Sequence, residues 1–271
     1  AVELDSFSLF CRSSDLDVGA AIISNREYQP LVGKMLRERL RPGHTFLDVG
    51  ANIGYFSLLA AELVGLDGKV IACEPNASNL SLFYASILKN SITNTTVLPL
   101  AASDRSQVLR LQTFGSKGFL ASPTGSHPSG QLVQAVALDD FLMLESRLDV
   151  IRIGVEGFEP LAISGMKKLI AKHRPLILTE LRPWAIERRS GVTSQSYLNQ
   201  LSSLGYTFEI LSSGITNTVA RTPQDVWGRW EAMGDYRAQL EVLATPSPLR
   251  RTVPTLVKAR VEQIVANVRR R

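Results

Sequence analysis

A short apolar run, His44 to Val49, empties into Gly50-Ala51-Asn52-Ile53-Gly54, and Tyr55 to Val64 then continues with helical spacing of apolar residues. A strand that turns through glycines straight into a helix constrains this chain more than any other feature. Glycines let the backbone reverse sharply and approach a ligand closely. The alternation then repeats. Leu66-Asp67-Gly68 is a turn, Lys69 to Cys73 a second apolar run, Asn76 to Lys89 a second helical stretch, and Thr95 to Ala101 a third strand. Leu148 to Ile153, Pro175 to Thr179 and Tyr206 to Leu211 read as further strands, with Pro160 to His173 and Ser194 to Leu204 as helices. Strands and helices in this order predict a parallel sheet with helices on its faces.

The 271 residues lie near the upper limit for one hydrophobic core, which predicts one domain with decoration. The expected boundaries are a lead-in over 1–43, an α/β domain over 44–213, and a helical, basic extension over 214–271. In the lead-in, Val18 to Ile23 reads as a short strand and Pro30 to Leu40 as a helix stopped by Arg41-Pro42-Gly43. Ser106 to Phe114 and Gln131 to Leu138 read as two antiparallel strands, joined by a Gly-, Ser- and Pro-rich loop from Gly115 to Gly130. Gln224 to Leu243 reads as helical, Thr245 to Pro254 as a Pro-interrupted linker, and Leu256 to Val268 as a segment with an apolar face.

Composition removes several classes. An apolar share of 45% with 20% charge is ordinary for a globular chain and excludes a disordered one. No run of eighteen apolar residues offers a membrane span. Ala1 to Ser6 carry two acids and no basic stretch, so no signal peptide is expected. Two cysteines, Cys11 and Cys73, cannot make a disulfide framework, and a reducing, cytoplasmic setting is expected. The net charge of +5 is local, because residues 247–271 hold seven basic residues against the one acid Glu262. Without zinc spacing, an RNA-binding signature or a basic-aromatic stripe, nucleic acid is not an expected partner. The basic tail also carries an apolar stripe, Val257, Val261, Ile264, Val265 and Val268. That combination suits a peripheral membrane surface or a subunit contact, as well as packing on its own domain.

The glycine turn does not fit the dinucleotide pattern GxGxxG, since Asn52 replaces the middle glycine and no third follows at the right distance. A pyrophosphate needs that bare backbone at a helix N-terminus. A ligand carrying a carboxylate and an ammonium wants an acid nearby instead, and Asp48 is placed to supply it. Glu74 ends the second strand, 24 residues after Gly50. An acid there can accept hydrogen bonds from both hydroxyls of a ribose, and its charge would repel a 2′-phosphate. A nicotinamide-dependent dehydrogenase is therefore disfavoured.

These residues resemble class I S-adenosylmethionine-dependent methyltransferases, and more closely the FkbM family within them. The likeness is carried by Phe46-Leu47-Asp48-Val49-Gly50-Ala51-Asn52-Ile53-Gly54-Tyr55-Phe56-Ser57 and by Cys73-Glu74-Pro75-Asn76. It continues through Leu100-Ala101-Ala102-Ser103-Asp104, Leu138-Asp139-Asp140-Phe141, Arg152 to Glu159, and Pro175 to Glu180, and covers roughly residues 15 to 212. The resemblance implies a Rossmann-like, doubly wound sheet of seven strands, mostly parallel, with an antiparallel last strand. It implies S-adenosylmethionine as cofactor and methyl transfer to oxygen, on a hydroxyl of a sugar, glycolipid or polyketide-type natural product. By the same likeness Asp48, Gly50, Asn52 and Gly54 would hold the methionine part, Glu74 the ribose, and Ala102 with Ser103 would border the adenine. One departure stands out. The family's typical Lys-Ile-Asp-Val-Glu-Gly is here Arg152-Ile153-Gly154-Val155-Glu156-Gly157, so the acid at the strand tip is missing. A cofactor-binding module with little turnover is the alternative reading that this loss motivates.

Methyl transfer from a sulfonium is an in-line displacement, so positioning does most of the work and the acceptor hydroxyl must lose its proton. Ligands of open parallel sheets sit outside the carboxyl ends of the strands. Glu156 and Glu180 follow strands and are the candidate base, substrate anchor or divalent-cation ligands, with His127 in the loop as a third candidate base. Hard cations want several oxygens, and the glycine at 154 weakens that case, so no metal ligands are assigned. His44 and His173 precede strands and belong to the opposite edge, while Glu159 reads as a helix cap. Trp227 and Trp230, three apart, could form an aromatic floor for a sugar or simply pack in the core.

Overall fold

The computed structural model describes residues 1–121, 129–212 and 218–248. The chain opens with an antiparallel pair, β1 (Val2–Glu3) and β2 (Ser8–Leu9), then helices α1 (Val18–Asn25) and α2 (Pro30–Arg39). The expected alternation follows: β3 (Thr45–Val49), α3 (Tyr55–Val64), β4 (Lys69–Cys73), α4 (Ala77–Lys89) and β5 (Thr95–Leu98). A second set of strands comes next: β6 (Ala101–Ala102), β7 (Gln107–Phe114), β8 (Lys117–Ala121) and β9 (Gln131–Val136). After a short α5 (Asp139–Leu142) come β10 (Val150–Ile153), α6 (Glu159–Ser164), α7 (Lys167–His173) and β11 (Leu176–Leu181). The described chain ends with α8 (Pro183–Ser190), α9 (Ser194–Ser203), β12 (Tyr206–Ile210), β13 (Thr218–Ala220), α10 (Pro223–Glu231) and β14 (Leu240–Pro246).

Among the described residues, eight strands form the main sheet in the order β13-β12-β14-β11-β10-β3-β4-β5. From β11 to β5 every pairing is parallel, whereas β14 runs antiparallel to both β11 and β12. β3 shows why the sheet must be covered twice. Phe46 points into the core beneath α1 to α4, and Leu47 and Val49 point into the core beneath α6 to α10; all three are fully buried. Strands buried on both faces read as continuous apolar runs. A smaller sheet, β6-β9-β7-β8, stands at the carboxyl edge, and its β7–β8 hairpin leans over the β3 turn. Among the described residues no helix is long and apolar enough to cross a membrane.

Several expectations are corrected. Among the described residues the main sheet has eight strands rather than seven, because β13 is added outside β12, while the expected antiparallel last strand is β14. Val18 to Ile23 is helical, not extended: Val18 and Ile22, four apart, pack on the core while Ile23 is exposed, the spacing of one helix face. The helix expected over Gln224 to Leu243 stops at Glu231, and β14 enters the middle of the sheet. The sheet therefore extends past the boundary expected at residue 213. Lys117 to Ala121, expected as loop, pairs with β7. The helix expected from Pro160 to His173 is broken near Gly165, where the chain runs against the Ser103 carbonyl. His127 and the basic, apolar-striped tail lie outside the described residues.

Candidate active site

The turn after β3 is built by close backbone approach. Gly50 has φ +85°, and a Cβ there would lie 2.2 Å from the Gly154 carbonyl oxygen. Only glycine lets this turn touch the turn that follows β10. The N–H groups of Gly50 and Ala51 both donate to the Cys73 carbonyl, at 2.9 and 3.0 Å. Asn52 adopts φ +55°, a left-handed conformation that asparagine tolerates because its short side chain bonds locally. Its Oδ1 accepts from the Ile53 N–H at 2.7 Å, and its Nδ2 donates to the Ser116 carbonyl at the hairpin tip at 3.0 Å.

Glu74 closes one end of the turn. Its Oε2 accepts from the Asn52 N–H and its Oε1 from the Asn76 N–H, both at 2.8 Å. Burial pushes its carboxyl up to about 7, against the pull of those two amides and the Asn79 side chain. α4 starts directly after it, with the Asn76 side chain accepting from the Ser78 N–H at 2.9 Å.

A cleft of about 870 Å³, its open mouth included, runs along the carboxyl ends of β3, β4 and β10. Glu74 lines it, and Leu100, Ala102, Leu111 and Leu120 supply apolar surface. Tyr28, Lys117, Arg152, Glu156 and Glu180 form a polar wall. The cleft thus brings together Gly50, Asn52, Glu74, Ala102, Glu156 and Glu180, residues 50 to 180 of the sequence.

Three expected residues do not line the cleft. Asp48 is fully buried, with Oδ1 accepting from Arg152 Nη1 at 2.9 Å and Oδ2 from Ser57 Oγ at 2.7 Å. Both of its oxygens are committed inside the protein. Gly54 starts α3 with its backbone pressed on the Phe83 ring. Ser103 is buried behind Ala102, its Oγ donating to Asp104 at 3.1 Å and accepting from Gln107 at 3.0 Å.

Glu156 and Glu180 share the polar wall but differ in their partners. Glu156 Oε2 lies 2.7 Å from Arg182 Nη1 and 3.5 Å from Arg189 Nη1, and Arg189 also donates to the Glu156 carbonyl. Glu180 Oε1 accepts from Gln29 Nε2 at 3.1 Å, and Oε2 stands 3.5 Å from Arg182. Glu241 sits opposite Glu180 in the β11–β14 register, and burial together with Glu180's charge raises its carboxyl. Glu159, at the start of α6, accepts from the Val155 and Gly157 N–H groups at 3.1 and 3.2 Å. Burial and Glu180 push it up to about 7. His44 and His173 lie away from the cleft, and Trp227 and Trp230 pack on the core with their rings 4.8 Å apart. Among the described residues no group of three or more His, Cys, Asp or Glu side chains could hold a metal ion.

Sequence reading missed Tyr28, Lys117 and Arg152. Tyr28 and Lys117 come from the lead-in and the loop, and nothing local marks them. Arg152 left a trace, as a charge inside the otherwise apolar strand Val150-Ile151-Arg152-Ile153.

An acceptor carboxylate, an apolar stretch and a polar wall around a glycine turn fit a nucleoside with a charged tail. A family model described as the methyltransferase FkbM domain matches residues 48–208. The chain belongs to the FkbM methyltransferase family. Its fold is Rossmann-like class I and its cofactor is S-adenosylmethionine, which the mixed polar and apolar lining of the cleft suits. Among solved structures, it is similar to a methyltransferase FkbM from Methylobacillus flagellatus KT at 16% identity and TM-score 0.47. That match covers 84% of this chain and 60% of the other, so the chain spans about 60% of that protein's length. A putative rRNA-methylase from Clostridium thermocellum is 8% identical with TM-score 0.50, covering 80% of this chain and 95% of that one. A SAM-dependent O-methyltransferase from Thermotoga maritima is 13% identical with TM-score 0.47, covering 85% and 71%. None of the curated proteins matches this sequence.

Proposed function

We propose that this chain is an S-adenosylmethionine-dependent O-methyltransferase acting on a hydroxyl of a sugar, glycolipid or polyketide-type natural product. The observation that carries the proposal is continuity: Gly50, Asn52 and Glu74 share one cleft with the hydrogen-bonding wall of Tyr28, Lys117, Glu156 and Glu180. In this reading Glu74 takes the ribose hydroxyls, Gly50 and Asn52 border the methionine end, and Ala102 borders the adenine. Arg189, which pairs with Glu156 of the cleft, ties in flat surface that suits a sugar or polyketide face. Arg189 stacks on Phe119 at 4.3 Å from its centroid and lies 5.6 Å from Trp184, which is 43% exposed.

Bound S-adenosylmethionine supplies a methyl group on a leaving group that needs no acid. The protein's task is to hold the acceptor oxygen in line and to receive its proton. Glu156, gripped by two arginines, is suited to anchoring. Glu180, with one amide partner and a longer ion pair, is the better proton acceptor. With the cofactor giving its methyl group to the acceptor oxygen and keeping the carbon–sulfur electron pair, Glu180 would take up the proton that the hydroxyl releases.

The test is product formation over a panel of glycosides and polyketide alcohols. O-methylated product with release of S-adenosylhomocysteine is expected. Glu180→Gln should lower turnover by about 100- to 10,000-fold while S-adenosylhomocysteine still binds normally. S-adenosylhomocysteine binding with no product across the panel would favour the cofactor-binding module instead, the reading that Gly154 motivates.

A further inference from the structure

We propose that Arg152 anchors the α-carboxylate of the cofactor's methionine end, reaching the cleft through a window that Gly154 leaves open. The proposal rests on S-adenosylmethionine occupying the cleft beside the β3 turn.

Arginine is almost never this buried unless paired, and Arg152 is only 8% exposed. Its known partners account for half of its fork. Nη1 donates to Asp48 Oδ1 at 2.9 Å and to the Gly50 carbonyl at 3.1 Å, while Nε and Nη2 make no hydrogen bond among the described residues. The plane is fixed from below by the Phe56 ring, 4.7 Å from the guanidinium carbon. A guanidinium held flat in a residue that lines the cleft, with one edge spent and the other unbonded, offers the two-pronged geometry that a carboxylate takes.

Gly154 explains how that edge stays available. Its backbone is not in the left-handed region, so conformation does not demand glycine there. Space does: a Cβ on Gly154 would lie 2.7 Å from Arg152 Nη2 and 3.2 Å from Cζ. Any side chain at 154 would force the guanidinium out of its present position. Asp48, expected to meet the cofactor itself, is instead the residue that positions Arg152. Glu180 stands near enough to raise Arg152 further, but its own oxygens lie toward Gln29 and Arg182. An acceptor carboxylate is the rival source of the same chemistry, and the ligands below separate the two.

Calorimetry on the intact chain uses three probes: S-adenosylhomocysteine, its decarboxylated analogue, and 5′-methylthioadenosine, which lacks the whole tail. The wild-type protein should prefer S-adenosylhomocysteine over the decarboxylated analogue by about 10- to 100-fold. Arg152→Met should erase that preference while methylthioadenosine affinity stays within about twofold, and Arg152→Lys should keep part of it. Should Arg152→Met fail to fold with Asp48 unpaired, Asp48→Asn/Arg152→Met removes both charges, and the wild-type comparison stands without any variant. Equal wild-type affinity for the first two probes, or a preference that survives in Arg152→Met, would overturn the assignment. Failure of S-adenosylhomocysteine to bind the wild type would overturn the cofactor reading of the cleft along with it.

Discussion

A carboxylate accepts hydroxyl hydrogen bonds best when charged, and Glu74 is held near the point where it loses its charge. Burial pushes it up to about 7, while the Asn52 and Asn76 amides pull the other way. Below that pH one oxygen carries a proton and becomes a donor; above it both oxygens accept. If Glu74 takes the ribose, the dissociation constant of S-adenosylhomocysteine should fall several-fold between about pH 6 and pH 8, with a limiting slope of about tenfold per unit below the pKa. Glu74→Gln should bind more weakly and show a flat profile. A wild-type constant that ignores pH over this range would remove Glu74 as the ribose acceptor. The position of this acid was legible, because it ends an apolar run at a readable distance from Gly50. Its protonation was not, since that depends on burial. Nor was the fate of Asp48, whose partner Arg152 lies 104 residues away.

Among elements, α3 and β4 match their expected bounds, because glycine turns bound α3 on both sides, and β4 runs from Gly68 to the break at Pro75. α1 and β14 were misread for one shared reason. A short apolar run fits a buried strand and a buried helix equally well, and only tertiary neighbours decide. The α6–α7 break shows what such a neighbour does. Gly165 approaches the Ser103 carbonyl so closely that an added Cβ would sit 1.9 Å from it. Gly165→Ala should therefore lower stability by about 1–3 kcal/mol, read as a lower urea midpoint at unchanged slope. Gly228, inside α10 with open space around its Cα, is the control. There alanine should stabilise by up to about 1 kcal/mol, from helix propensity alone. Equal midpoints for the two variants would mean that the Ser103 contact does not set the break.

For the whole molecule, the entry of β14 between β11 and β12 makes the stretch beyond residue 213 part of the sheet, and it carries Glu241 to a place opposite Glu180. Buried carboxyls thereby gather at the carboxyl edge of the sheet. Glu74 and Glu159 are each pushed up to about 7 from an ordinary 4.5, and Glu241 is raised as well by burial and by Glu180. The folded state binds these protons more tightly than the unfolded chain. The stability they contribute is therefore fully present below about 4.5 and is lost as pH rises through about 7. The melting temperature should accordingly be higher near pH 5.5 than near pH 8.5, and Glu159→Gln should flatten part of that decline. A melting temperature that rises over this interval would show that these carboxyls ionise in the folded state as freely as in the unfolded chain. If Glu74 takes the ribose, cofactor binding works in the opposite sense, because the charged form that burdens the fold is the one that would accept the ribose hydroxyls. Saturating S-adenosylhomocysteine should then recover stability most at the alkaline end, by about 2.7 kcal/mol at a hundredfold excess over its dissociation constant. A ligand-induced shift that shrinks with rising pH would break the link between fold stability and cofactor grip at Glu74.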